Sequence, residues 1–155
     1  MKTDMEQNKE QLMVAALENG SVIDHIPTDK LFTIVQLLGL DTFSNEVIIA
    51  NNLDSKAMGK KGLIKISNKF FNEAEISQLA VVCPNIRLTV IKNYKVAEKR
   101  EINLPERLID IVKCANPVCI TNNEPMKTYF TITDVQTLKC RYCGKEQSLE
   151  NIKLK

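Results

Sequence analysis

Four of the five cysteines stand in two close pairs. Four residues lie between Cys114 and Cys119 in CANPVC, two between Cys140 and Cys143 in CRYC, and twenty between the pairs. Four thiolates on two such loops are what a tetrahedral Zn(II) requires, each loop turning two sulfurs toward one point at about 2.3 Å. Asn116-Pro117 and Gly144 supply backbone that can turn. Competing readings are four unrelated buried thiols, a redox dithiol and a catalytic zinc. CRYC lacks the βαβ surroundings of a thioredoxin-like dithiol. Catalytic zinc usually keeps an open position beside three protein ligands, and the single histidine, His25, is remote in sequence. One structural zinc per chain is therefore expected, standing in for the core that about 55 residues cannot build alone. Cys83, the fifth thiol, is expected as a small core residue at a helix end.

A second chemistry-bearing feature is the distribution of lysines. Residues 55–72 hold Lys56, Lys60, Lys61, Lys65 and Lys69 with no acid, and residues 87–100 hold Arg87, Lys92, Lys95, Lys99 and Arg100 with only Glu98. A solvated strand face would read the same way. Two details favour an anion site. Lys65 lies between Ile64 and Ile66, so a strand would hold it on the face opposite those two. Asp24-His25, followed by Pro27, sets an acceptor and a titratable donor at a strand end, suited to a ribose and a phosphate. There is no Gly-rich phosphate loop, so side chains would hold any nucleotide.

Bulk composition narrows the classes. With 44% hydrophobic and 26% charged residues the chain reads as an ordinary globular protein. Lys+Arg 21 against Asp+Glu 19 excludes a polybasic nucleic-acid binder. A zinc-ribbon protein that binds nucleic acid is the alternative reading, but five Phe, three Tyr and no Trp offer few stacking platforms. A small phosphotransfer or nucleotide-hydrolysing enzyme would need a Walker motif, an acidic metal cluster or a nucleophile with its base, and none is visible. No apolar run approaches the roughly 18 residues of a membrane helix. The polar start, MKTDMEQNKE, is unlike a signal peptide, so a cytoplasmic protein with reduced thiols is expected, with neither nucleic acid nor membrane as partner.

These residues need elements to position them. QLMVAALENGSVIDHI (11–26) reads as strand, turn at Asn19-Gly20, and strand. Leu31, Ile34, Val35 and Leu38 recur at helical spacing after a candidate cap at Thr28-Asp29, with Gly39 as the stop. EVIIANNL (46–53) and LIKI (63–66) read as strands, residues 73–82 as a helix closed by Pro84, and 86–91 as a strand. The order strand, helix, strand, strand, helix, strand predicts an α+β fold: an N-terminal ferredoxin-like αβ sandwich, an antiparallel sheet with two helices, over residues 1–100. Residues 101–155 are expected as a small C-terminal zinc-binding β domain, with a short helix from Pro105 to Val112 and a strand over 129–135.

Several ordered motifs together carry a resemblance: GSVIDHIP at 20–27, MGKKGLIKI at 58–66, NYKV at 93–96 with Lys99, LPER at 104–107, and the CX4C and CX2C pairs. The chain resembles the regulatory chain of aspartate carbamoyltransferase over essentially its whole length. That resemblance implies a subunit without catalytic activity, made of an allosteric nucleotide-binding domain and a zinc domain that docks on the catalytic chain. Regulatory dimers would link catalytic trimers, two trimers with three dimers. CTP, often with UTP, would lower and ATP raise the activity of the first committed step of pyrimidine biosynthesis.

Carried over by position, Val14, Ala16 and Leu17 resemble the wall around the base, and Asp24 and His25 the contacts to ribose and phosphate. Lys65 resembles the lysine reaching ribose and base, Lys99 the phosphate lysine, and Lys61 an auxiliary contact. Val22, Thr89, Ile91, Tyr94 and Val96 match positions lining the pocket, Ile91 and Tyr94 through backbone groups. A triphosphate carries about four negative charges, which Lys61, Lys65, Lys99 and a protonated His25 would largely neutralise. Cys114, Cys119, Cys140 and Cys143 are the implied zinc ligands. On the docking side, Asn116 is retained, whereas Val118 replaces an amide and Gly144 an acidic residue of a better-known member.

Overall fold

The structure is a computed structural model that describes residues 17–155. It divides into two compact units, one made of the described residues up to Asn72 with Val82–Asn103, the other of Glu73–Val81 with Leu104–Lys155.

The first unit is built on five strands: β1 (Gly20–Ile26), β2 (Val47–Ser55), β3 (Gly59–Ser67), β4 (Arg87–Lys92) and β5 (Lys95–Glu101). They lie in the order β2-β3-β1-β4-β5, and every neighbouring pair is antiparallel. In chain order, helix α1 (Leu31–Leu37) follows β1 and helix α2 (Glu73–Val82) follows β3, which is the expected ferredoxin-like order extended by β5 at the edge, although α2 up to Val81 groups with the second unit. β1 is central and buried on both sides: Val22 points to one face and Ile23 to the other, and both are buried. On the Ile23 face lie Ile64, Ile66 and Leu88, and helix α1 packs there, since a Cβ at Gly62 would come within 2.9 Å of the Leu31 side chain.

Gly20 opens β1 at φ 147°, and a Cβ there would lie 2.1 Å from the Ile66 carbonyl oxygen, so only glycine lets β1 and β3 meet at this end. The bend falls at Glu18 and Asn19, one residue earlier than expected. Of the strand read before it, residues 11–16 lie outside the described residues. Helix α1 begins after a turn over Thr28–Lys30, and its cap is Lys30 without a side-chain cap bond, not Thr28-Asp29. The Lys30 N–H instead bonds to the Pro27 carbonyl at 2.9 Å, so the proline turn itself starts the helix.

Strand β5, KVAEKRE, was not expected. Its residues are almost all exposed, so it lacks the apolar alternation that marks a strand, and only its ladder with β4 reveals it.

The second unit holds a four-stranded sheet, β6 (Arg107–Ile109), β8 (Tyr129–Asp134), β9 (Thr137–Cys140) and β10 (Glu146–Ser148), in the order β10-β9-β8-β6. A two-stranded ribbon pairs β7 (Val112–Lys113) with β11 (Lys153–Leu154). Leu108, Ile111, Val112, Phe130 and Leu138 are buried with Val81 of α2 and with three of the paired cysteines. The helix expected over 105–112 is absent. Leu108, Ile111 and Val112 fit a helical spacing, but Leu108 pairs with Phe130 across β6 and β8, and Asp110 takes φ 58°, which no helix tolerates.

Candidate metal and nucleotide sites

The four paired cysteines converge. Their sulfurs all lie within 4.8 Å of one another, Cys114 to Cys143 at 3.7 Å and Cys119 to Cys140 at 3.8 Å. A tetrahedron with metal–sulfur bonds of about 2.3 Å has edges of about 3.8 Å, so the donor set fits a zinc-sized ion. Cys114 follows β7, Cys119 precedes the single-turn helix α3 (Ile120–Asn123), Cys140 ends β9, and Cys143 sits in the turn to β10. Gly144, at φ 73°, turns the second loop, and its N–H bonds to the Cys140 carbonyl.

Burial pushes the Cys114 thiol up to about 12 and raises Cys140 as well, whereas the Lys145 backbone N–H pulls the exposed Cys143 down to about 7. Burial thus favours the neutral thiols of Cys114 and Cys140, and all four would be thiolates only with a cation among them. Cys83 is separate, buried, and raised to about 11 by that burial, as a core thiol should be.

Around the metal loops stand residues that cysteine spacing does not disclose. The Asn122 amide donates to the carbonyls of Cys114 and Asn116 at 2.9 and 2.7 Å, and the Asn123 amide to those of Cys119 and Pro117 at 2.9 and 3.1 Å. Gln147 accepts from the Ala115 N–H at 2.9 Å, and the Thr121 hydroxyl lies 3.2 Å from the Cys119 sulfur. The sequence signal for them is the polar run Thr-Asn-Asn directly after the second cysteine.

In the first unit, sheet register decides which lysines meet. Ile48 pairs with Lys65, Lys65 with Val22, Val22 with Thr89, and Thr89 with Lys99, so the five form one row across the sheet. Paired residues share a face, which puts Lys65 and Lys99 on the face away from α1, three strand spacings or about 14 Å apart along the row. Leu17, Val22, Leu63 and Ile91 form a buried apolar floor on that face. Lys65 stands in this floor at 6% exposure, and burial lowers its pKa. Among the described residues no carboxylate pairs with it.

A register shift between Ile23 and Ile26 releases Asp24 and His25 from the ladder with β3, and His25 takes φ 59°. The Asp24 carboxylate accepts from the His25 N–H at 2.7 Å and is held by the Lys61 ammonium at 3.0 Å. Lys61 is thus engaged with Asp24, whereas among the described residues no carboxylate pairs with Lys65 or Lys99.

His25 is neutral rather than protonated near pH 7: burial lowers its pKa, aided by Arg87 and Lys61, and the nearby Asp24 only partly offsets this. Its Nδ1 is buried 3.6 Å from an Asp24 carboxylate oxygen, with no hydrogen-bond partner among the described residues. Val96 pairs with Ile91 but is exposed, and Tyr94 is 57% exposed in the β4–β5 turn, its N–H bonded to the Glu18 carbonyl at 2.9 Å. Val14 and Ala16 lie outside the described residues. Arg87, the strand partner of Asp24, is a neighbour that the sequence did not single out for the site.

Family models match two consecutive stretches of the chain: the allosteric domain of the aspartate carbamoyltransferase regulatory chain over residues 12–103, and its metal-binding domain over 106–153. The chain belongs to the aspartate carbamoyltransferase regulatory chain family. Among its relatives, the regulatory chain of Phocaeicola vulgatus is 57% identical over 97% of this chain and 98% of the relative. That of Bacteroides fragilis is 55% identical over 96% and 98%, and that of Pyrococcus horikoshii 40% identical over 92% and 96%. As a regulatory chain it is a non-catalytic subunit of aspartate carbamoyltransferase, with an allosteric and a metal-binding domain, and it associates with the catalytic chain.

Proposed function

We propose that the 1–100 region of this regulatory chain binds nucleoside triphosphates on the sheet face that carries the Lys65–Val22–Thr89–Lys99 row, and that its 101–155 region, held by one structural Zn(II), docks on the catalytic chain. CTP and UTP lower, and ATP raises, the activity of catalytic trimers in pyrimidine biosynthesis, in a cytoplasmic assembly of two trimers with three regulatory dimers. The observation that carries the nucleotide reading is the row itself: two lysines with no carboxylate partner among the described residues, one buried and one exposed, flank an apolar floor formed by Leu17, Val22 and Ile91.

On this reading the base lies over the apolar floor near Ile91, Tyr94 and Val96. Lys65 meets the ribose and base, and Lys99 meets the phosphates through charge-assisted hydrogen bonds. Asp24 accepts from a ribose hydroxyl, and Lys61 exchanges part of its contact with Asp24 for a phosphate oxygen. Neutral His25 can still offer a ring N–H. Opposite effects of two nucleotides require that each bind the two states of the assembly unequally. In the other region the four cysteines would hold the zinc, which supplies charge and a rigid tetrahedral anchor.

Calorimetric titration of the zinc-loaded chain with CTP, ATP and UTP, with a short RNA as control, tests the reading. Saturable triphosphate binding is expected, and Lys99→Ala should weaken it about ten- to a hundredfold, the equivalent of a charged hydrogen bond. Binding of RNA without binding of nucleotide would replace this reading by the zinc-ribbon alternative.

A further inference from the structure

We propose that Thr121 is a positioning residue of the metal centre, its hydroxyl donating a hydrogen bond to the Cys119 thiolate. The proposal rests on the zinc reading above. Thr121 is 7% exposed, Cys119 is 2% exposed, and their Oγ1 and Sγ atoms are 3.2 Å apart. A free thiol could donate to the hydroxyl, but a metal-bound sulfur has only lone pairs to offer, so the hydroxyl must be the donor.

Backbone N–H groups point at three of the ligands: Asn116 at Cys114, Tyr142 and Cys143 at Cys140, and Lys145 at Cys143. Cys143 is also exposed to water. Cys119 is buried and leads directly into helix α3, and the Thr121 side chain supplies its donor. Four thiolates on one Zn(II) leave a net charge of about −2 in a largely buried cluster, which donors to sulfur spread and stabilise. The Asn122 and Asn123 amides fix the loop and helix that carry Thr121, so the run Thr121-Asn122-Asn123 acts as one outer support for the first cysteine loop.

The test uses the full-length chain as wild type, Thr121→Val, which keeps the shape without the hydroxyl, and Thr121→Ser, which keeps the hydroxyl. With Co(II) in the site, the valine variant should show its thiolate-to-metal charge-transfer band at longer wavelength than wild type. Its zinc should pass to a competing chelator about tenfold faster, and serine should restore both. A valine variant with the wild-type band and release rate, or a serine variant that resembles valine, overturns the proposal. Wild-type chain giving no tetrahedral Co(II) spectrum would overturn the metal reading itself. In case the valine variant does not fold, wild-type chain loaded with 113Cd provides an independent readout. A Thr121 hydroxyl proton coupled to cadmium supports the hydrogen bond, and its absence in slow-exchange conditions overturns it.

Discussion

Lys65 carries opposite consequences for stability and for binding. In a continuous buried run of β3 its side chain packs against an apolar floor, and that burial lowers its pKa. Lys65→Met keeps the stem's packing and removes the charge, so the unliganded chain should melt at a higher temperature while CTP affinity falls at least tenfold. A melting curve and a titration on the same sample check both signs. His25 gives a pH dependence. Its folded pKa lies below the ordinary 6.5, so the unfolded chain binds more protons between the two values. Stability should therefore be lost as the pH falls below about 6.5 toward the folded pKa, and His25→Gln should remove that part of the slope in urea unfolding between about pH 7.5 and 5.5. That Asp24 and His25 were candidates was legible from their types; that Asp24 is already paired with Lys61 and that His25 is neutral depended on a register shift and on burial, which no residue type announces.

At the scale of elements, the β1–β3 ladder depends on one glycine. Gly20→Ala combines a positive φ with a Cβ 2.1 Å from the Ile66 carbonyl, and the atom it meets is backbone that cannot swing aside. The variant should lose about 2 kcal/mol or more of unfolding free energy in urea, more than an ordinary Gly→Ala change. Strands β1, β2, β3, β4 and β8 and helices α1 and α2 were legible because each carries an apolar run, an apolar periodicity or a stop signal. Strand β5 was not, because an exposed edge strand needs no apolar alternation, and the residues over 105–112 were misread because apolar positions spaced for a helix served two short strands instead.

For the whole molecule, the four-cysteine cluster and the proposed nucleotide face belong to different units, so their losses should separate. Cys114→Ser removes one of three buried cysteines of the cluster and should unfold the unit that carries it, abolishing association with catalytic trimers in sedimentation or native gel assays. Triphosphate binding by the sheet of the first unit should persist within a few-fold of wild type, as a titration of the variant would establish. Loss of both together would mean that the two units do not hold their folds independently.

The sequence alone determined the cysteine set, since four thiols at these spacings leave few geometries, and it determined the family, since ordered motifs along the chain are specific without any coordinates. Tertiary structure decided which lysines share one row of the sheet and which is paired with a carboxylate. Lys61, Lys65 and Lys99 look alike in sequence, but strand order and register put Lys65 and Lys99 in one row over an apolar floor and turn Lys61 to Asp24. Likewise Thr121 is an ordinary threonine until the fold brings its hydroxyl to the Cys119 sulfur. Local chemistry is written in residue types, whereas pairing, burial and pKa depend on neighbours that are distant in the chain and become neighbours only when it folds.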